Sequence, residues 1–307
     1  MNNNNHPAEP IVYNGEVVEM PGVTDIEALR RVQDCELKIL AELDRICKKH
    51  NIVCSLTGGT LIGAARHHDF VPWDDDIDVD LRQSDMEKLA EILPRELGED
   101  FEFVNYNDHG EYFCDFLPRI FYKKSKTVNS FSVDGSEKNI CNDERMNGIF
   151  IELYSLCESK KGFAVNFQYF VTKVIYGLCM GHRAQKKPTD KYSAEERTFS
   201  AILESVGKCI PIKCLYKAYE LNAHLIKSGK GNVYFKPCVP LVYQKKNILD
   251  KKWFESFSEI QVRNIKINAP SDYKAMLTTL YGNWETLPPV KDRHPDHFNL
   301  SEEIKID

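Results

Sequence analysis

The densest chemistry in this 307-residue chain lies in Trp73-Asp74-Asp75-Asp76-Ile77-Asp78-Val79-Asp80-Leu81. Residues two apart on an extended chain share a face. Asp76, Asp78 and Asp80 are therefore expected to project together, with Ile77, Val79 and Leu81 toward a core. Asp74 joins the acid face if the strand starts early. Like charges this close are unfavourable without a counter-charge, and a divalent cation is the natural remedy. Oxygen-only ligands favour Mg²⁺, Mn²⁺ or Ca²⁺ over zinc. Asp74, Asp76 and Asp78 would fit the first ligands of an EF-hand loop, but its glycine is Val79 here and its closing glutamate is Asp85. A phosphatase-type Asp-x-Asp would follow an apolar strand, whereas Val71-Pro72-Trp73-Asp74-Asp75 precedes this one. An exposed acidic strand face is the bland alternative.

Upstream stands Ser55-Leu56-Thr57-Gly58-Gly59-Thr60-Leu61-Ile62-Gly63. It reads as a strand, a double glycine and the start of a helix. Glycines let backbone amides approach a phosphate, and a helix start presents free N–H groups. A double glycine alone is more often a plain turn. Beside an acidic strand it becomes half of the machinery of phosphoryl or nucleotidyl transfer.

These residues need elements to position them. Asn14-Gly15 between apolar flanks marks a hairpin over 11–19. Thr24 with Glu27 forms a capping box for a helix to about Lys49, and Ser84 with Glu87 a second for a helix to about Leu93. Strands are expected at Ile52–Thr57, Asp76–Leu81, Phe101–Tyr106, Phe113–Tyr122 and Ile149–Tyr154, with strand or extended chain at Phe257–Ile267. Residues 162–226 read as mainly helical, 227–232 as a loop, and Ser271–Tyr281 as a helix ending at Gly282. The fold class is α+β, or mixed α/β, with a helical second portion.

Composition excludes several functions. Lys and Arg number 40 against 46 Asp and Glu, the wrong balance for a protein that coats nucleic acid. The ten cysteines contain no C-x-x-C and read as small buried hydrophobes. The asparagine run of residues 1–10 lacks an apolar stretch, so a disordered tail and a cytoplasmic location are expected. Phe163 to Gly181 is too polar to span a bilayer. Its Phe163, Phe167, Phe170, Val174 and Leu178 fall on one side, as a core helix or as a face that docks on a membrane-borne glycan carrier.

The run Gly58-Gly59-Thr60-Leu61-Ile62-Gly63-Ala64-Ala65-Arg66-His67, then Phe70-Val71-Pro72-Trp73-Asp74-Asp75-Asp76-Ile77-Asp78, resembles the signature of the LicD family. That family includes bacterial phosphocholine transferases and is related to fukutin and fukutin-related proteins. Gly148-Ile149-Phe150-Ile151-Glu152-Leu153-Tyr154 resembles its third acidic strand. Tyr281-Gly282-Asn283-Trp284, Leu287-Pro288-Pro289 and Arg293-His294 resemble its C-terminal signature. The resemblance implies a nucleotidyltransferase-like core, a small mixed sheet flanked by helices, over 24–160. A tail and hairpin (1–23) would precede it and a helical portion and C-terminal segment (161–307) would pack on it.

The resemblance further implies a Mg²⁺- or Mn²⁺-dependent enzyme. Such an enzyme moves a substituted phosphate from a CDP-linked alcohol donor such as CDP-choline to a glycan hydroxyl and releases CMP. The acceptor would be a lipopolysaccharide, teichoic acid or capsule glycan, lipid-linked in one reading, with peripheral contact at the inner face of the membrane. Asp76, Asp78 and Glu152 would be catalytic and, with Asp74, metal-ligating. Glu152 stands where the family usually has Asp, keeping the charge on a side chain one methylene longer. Gly58, Gly59, Thr60, Arg66 and Arg119 would bind the donor's phosphates; Arg293, His294 and His297 would either close over the site or form a polar tail. Two alternatives remain: a metal-dependent glycosyltransferase using a sugar nucleotide, and an inactive scaffold binding glycan or nucleotide.

Overall fold

The computed structural model describes residues 11–132, 138–186, 193–238, 247–301 and 304–307. The expected disordered tail of residues 1–10 lies outside them. The chain opens on a hairpin, β1 (Val12–Tyr13) and β2 (Glu16–Val17). Asn14 and Gly15 both take positive φ, 51° and 84°, as a tight two-residue hairpin turn demands.

The first long helix, α1, covers Ile26–Lys49. Its cap is Asp25, not Thr24: the Asp25 carboxylate accepts from the Ala28 amide at 2.9 Å. One residue later in the chain, the same side-chain chemistry meets the free amides of the first turn. Then come β3 (Cys54–Leu56), α2 (Gly58–His67), β4 (Asp78–Arg82) and α3 (Gln83–Glu96). Thus α2 begins at the double glycine itself, and Asp74 and Asp76 lie in the loop before β4 rather than in the strand. The expected box at Ser84 is absent, because α3 starts earlier, at Gln83, without a side-chain cap.

The strands β5 (Phe101–Val104), β6 (Arg119–Tyr122), β7 (Ser125–Lys126) and β8 (Ile149–Ser159) follow. Of the expected strand Phe113–Tyr122 only the last four residues pair; Phe113 and Phe116 instead enter an aromatic cluster with Tyr176, Tyr216 and Tyr219. Three helices come next, α4 (Phe163–Cys179), α5 (Ala194–Gly207) and α6 (Ile212–Ala223). The chain then returns to the sheet as β9 (Val233–Phe235), β10 (Ile248–Asp250), β11 (Phe257–Val262) and β12 (Ile265–Pro270), before α7 (Tyr273–Tyr281) and β13 (Lys305–Ile306). The extended stretch expected at Phe257–Ile267 is thus a hairpin turned at Arg263. Gly282 ends α7 at φ +67°.

Among the described residues nine strands form one mixed sheet in the order β10-β9-β8-β4-β3-β12-β11, with β5 and β6 attached beside β8. This arrangement is α+β. Strands from residues 52–159 and 233–270 share it, with α1 and α3 against the sheet and one core formed from Leu40, Leu43, Leu56, Val79, Ile151 and their neighbours.

Two expectations about apolar residues change. Of the ten cysteines, all free, Cys209 and Cys214 are exposed and the rest buried. On α4 the buried residues are Val165, Gln168, Tyr169, Thr172, Ile175 and Cys179, while Phe163, Phe167 and Phe170 face out. The deciding contacts are polar: Gln168 bonds to Ser159 and to the Asn222 carbonyl, and Asn222 bonds to Thr172. That network satisfies buried polar groups only with this face inward. No helix of the described residues is long and apolar enough to cross a membrane.

Candidate active site

The topology brings the acids to the glycine turn. β4 runs antiparallel to β3, pairing Leu56 with Val79, so the start of β4 lies beside the end of β3. The Thr57 amide donates to the Asp78 carbonyl at 3.2 Å, and the Asp78 amide donates to Thr60 Oγ1 at 2.9 Å. β8 runs parallel to β4 with Glu152 opposite Asp78. Asp78 and Glu152 are thereby neighbours, and Thr60 serves as a strut for Asp78.

The two glycines make room for carboxylates. A Cβ on Gly59 would stand 2.7 Å from Asp74 Oδ2, and one on Gly58, whose φ is +58°, 2.9 Å from Asp78 Oδ2. Asp74 and Asp78 therefore close on the first turn of α2, where free amides and the helix dipole favour negative charge. Asp74 Oδ2 and Asp78 Oδ1 are buried with no hydrogen-bond partner among the described residues.

Burial and crowding drive the acid pKa values upward. Burial, then the charges of Asp75 and Asp78, push the Asp74 carboxyl up to about 7, against a hydrogen bond with Asp76. Asp76 is raised by burial and by Asp74. Asp78 is raised by burial, then by Asp76 and Glu152, with His297 and Lys236 opposing. Unpartnered buried oxygens and shared like charge suit a hard divalent cation, but among the described residues the side chains whose ligand atoms lie close enough together to share one ion are Asp75, Asp76 and His297.

Asp75 has a different task. Its carboxylate accepts from the amides of Asp296, His297 and Phe298 at 2.7–3.2 Å, pinning the C-terminal segment across the acid loop. His297 Nδ1 then lies 3.5 Å from Asp75 Oδ1 and 3.6 Å from Asp76 Oδ2. Atoms of Asp75, Asp76 and His297 come within 4.8 Å of one another. Burial disfavours the His297 cation, but Asp76 and Asp75 outweigh it and raise its pKa. His297 is thus held beside the acid loop rather than in a free polar tail. Arg293 lies over the Trp73 ring instead, and His294 pairs with Asp296.

Glu152 is held from both sides. Oε1 accepts from Arg119 at 2.6 and 3.0 Å, and Oε2 from the Tyr154 hydroxyl at 2.7 Å. Arg119 was expected to hold phosphate, and the structure gives it another role. Its N–H groups bond to Glu152, to both oxygens of Asp115 and to the Leu117 carbonyl, and it is 2% exposed. A guanidinium with five donors already placed has none to aim at a ligand. Arg66 donates to His67 and to the carbonyls of Trp284 and Thr286, tying α2 to the C-terminal segment. It also lines a cavity of about 590 Å³ with Gly59, Trp73, Asp74, Tyr281 and Trp284.

Asp80 lies apart from the other acids in its partner. It pairs at 2.7 Å with the buried Lys236, which also donates to Thr57 Oγ1. Burial nonetheless raises its pKa against that cation. Lys236 had no signal beyond the short apolar run Val233–Phe235 before it. Glu36 had one that could be read: it lies four residues after Val32 and four before Leu40, on the apolar face of α1. It is 0% exposed, with neither oxygen partnered among the described residues. Burial, then Asp76, Asp75 and Asp74, raise its pKa well above the carboxylate range.

Residues 51–166 match the family described as the LicD/FKTN/FKRP nucleotidyltransferase domain. The chain carries a LicD-family domain. The acid loop, the glycine turn and Glu152 all fall inside it, whereas His297, Lys236 and the residues from Tyr281 onward lie beyond it. The chain is also similar to the lipopolysaccharide cholinephosphotransferase LicD of Haemophilus influenzae, 25% identical over 277 residues, covering 88% of this chain and 96% of that one. An uncharacterized protein of Rickettsia prowazekii is 29% identical over 101 residues, 33% of this chain and 34% of its own. One from Rickettsia typhi is 33% identical over 58 residues, 19% of each. The LicD domain and the named transferase together mark the chain as a transferase.

Proposed function

We propose that this protein transfers phosphocholine, or a closely related substituted phosphate, from a CDP-linked donor to a hydroxyl of a lipopolysaccharide-type glycan, releasing CMP. One observation supports this reading above the rest: buried, unpartnered oxygens of Asp74 and Asp78 against the glycine turn that opens α2. The similarity to a cholinephosphotransferase supports the choice of group transferred.

Asp74, Asp76 and Asp78 would hold a divalent cation. When bound, Mg²⁺ or Mn²⁺ supplies charge neutralisation at the donor's phosphates. Amides at the start of α2 orient the phosphate oxygens. Thr60 fixes the Asp78 backbone, and Arg119 with Tyr154 fixes the Glu152 carboxylate, so neither acid must reorganise during transfer. Glu152 would take the acceptor's proton through the acceptor capacity that Arg119 and Tyr154 leave on its carboxylate. The cavity beside Asp74, walled by Trp73, Tyr281 and Trp284, offers aromatic surface to the rest of the donor, with Arg66 as the adjacent cation.

Incubation with a panel of CDP-alcohols, a glycan acceptor and Mg²⁺, followed by chromatography for CMP, tests the proposal. CMP release that needs both the donor and the cation is expected. Release of UDP or GDP from sugar nucleotides would make the protein a glycosyltransferase, and no product from any donor would favour a binding scaffold.

A further inference from the structure

Away from the acids, the helical portion leaves an apolar surface uncovered. On α4, Phe163, Phe167 and Phe170 are 84%, 46% and 61% exposed, spaced at i, i+4 and i+7 on one face. The Phe163 and Phe167 rings stack on each other, centroids 6.0 Å apart. Gly177 and Leu178 of α4 meet Leu203 and Gly207 of α5. Gly207 is the one buried residue of α5 among those described, and Phe199, Ile202 and Val206 of that helix are also exposed. Thus α4 presents a phenylalanine stripe outward and α5 a mixed aromatic and aliphatic one. Single exposed apolar residues are ordinary, but contiguous ones mark a surface that binds something.

Charge identifies the occupant. Residues 160–230 hold thirteen Lys and Arg against five Asp and Glu, in a chain with 40 against 46 overall. The segment that carries the stripes is thus cationic in a chain that is acidic overall. Lys160 and Lys161 precede α4, and Lys173 lies one turn beyond Phe170; all three are exposed. Phenylalanines flanked by lysines on a helix face are the pattern of a segment lying in the interface of an anionic bilayer. A second copy of the chain is disfavoured, since two such cationic faces would repel.

We propose that α4 and α5 form a docking surface for an anionic lipid membrane, with Phe163, Phe167 and Phe170 entering the interface and the lysines meeting the headgroups. This goes beyond the transfer reaction and does not depend on it.

Co-sedimentation of the full chain, without donor or acceptor, with vesicles of phosphatidylcholine alone or mixed with phosphatidylglycerol tests this. Binding to the mixed vesicles only, weakening with added salt, is expected. The Phe163→Ser, Phe167→Ser, Phe170→Ser triple variant should bind about tenfold more weakly or less. The Lys160→Glu, Lys161→Glu variant should bind more weakly and lose part of the salt dependence. Circular dichroism melts of both should match the parent, because all five side chains are exposed. Absence of binding to anionic vesicles, or equal binding by parent and both variants, would overturn the proposal. So would a dimer, seen by light scattering, that the phenylalanine changes dissolve.

Discussion

Asp78 meets the glycine turn, Thr60 and Glu152 at once, so it is the residue on which the proposed chemistry turns. Asp78→Asn keeps the shape, removes the charge and should lower CMP release by about 100-fold or more. Circular dichroism should show an unchanged fold, because neutralising a crowded acid relieves repulsion. Undiminished turnover by that variant would refute the site. Gly58 carries a constraint of another kind. Its φ of +58° and the carboxylate oxygen beside it leave no place for a methyl group. Gly58→Ala should cost about 1–3 kcal/mol in urea unfolding and reduce turnover by displacing Asp78.

At the scale of elements, β6 and β8 are joined by more than their ladder. Arg119 on β6 lies between Asp115 and Glu152, and removing it strands two buried carboxylates. Arg119→Met should therefore destabilise the protein by about 3–5 kcal/mol in urea unfolding. A loss under about 1 kcal/mol would mean that the pair is solvated and weak. The C-terminal segment depends on a similarly local attachment. Asp75→Asn removes the charge and turns one accepting oxygen into an NH2 that cannot accept from an amide, so at least one of these bonds is lost, and it should cost about 1–3 kcal/mol. Limited proteolysis should then cleave beyond Trp284 sooner than in the parent.

Over the whole molecule, buried carboxylates shift in opposite directions. Asp74, Asp76 and Asp78 are raised by burial and by neighbouring acids, whereas Asp115 and Asp143 are lowered by cationic partners. Burial pushes Asp143 up, but hydrogen bonds from His109 and Arg145 and their charge bring it well below the usual range. A lowered carboxylate adds stability that is present above its unfolded pKa of about 4 and is lost as pH falls through the folded value. The difference in unfolding free energy between the parent and Asp143→Asn should be largest near neutrality and shrink below about pH 4. A constant difference in urea melts from pH 3 to 7 would show that the Asp143 network contributes nothing through its charge.

Much of this protein follows from short stretches of chain. The Asn14-Gly15 turn, the length of α1, the stop at Gly282 and the nearness of Gly58 and Gly59 to the acids rest on local steric and periodic rules. Those rules also picked out Asp74, Asp76 and Asp78. What each polar group does was decided only in three dimensions. Asp75 differs from its neighbours because three amides more than two hundred residues away converge on it. Arg119 could have served a phosphate until β8 placed Glu152 beside it. Glu36 and Lys236 join the site through the packing of α1 and the return of β9 to the sheet. The exposed face of α4 follows from where Gln168 finds partners. Backbone propensity acts over a few residues, whereas the use of a charge is set by whatever the fold packs against it.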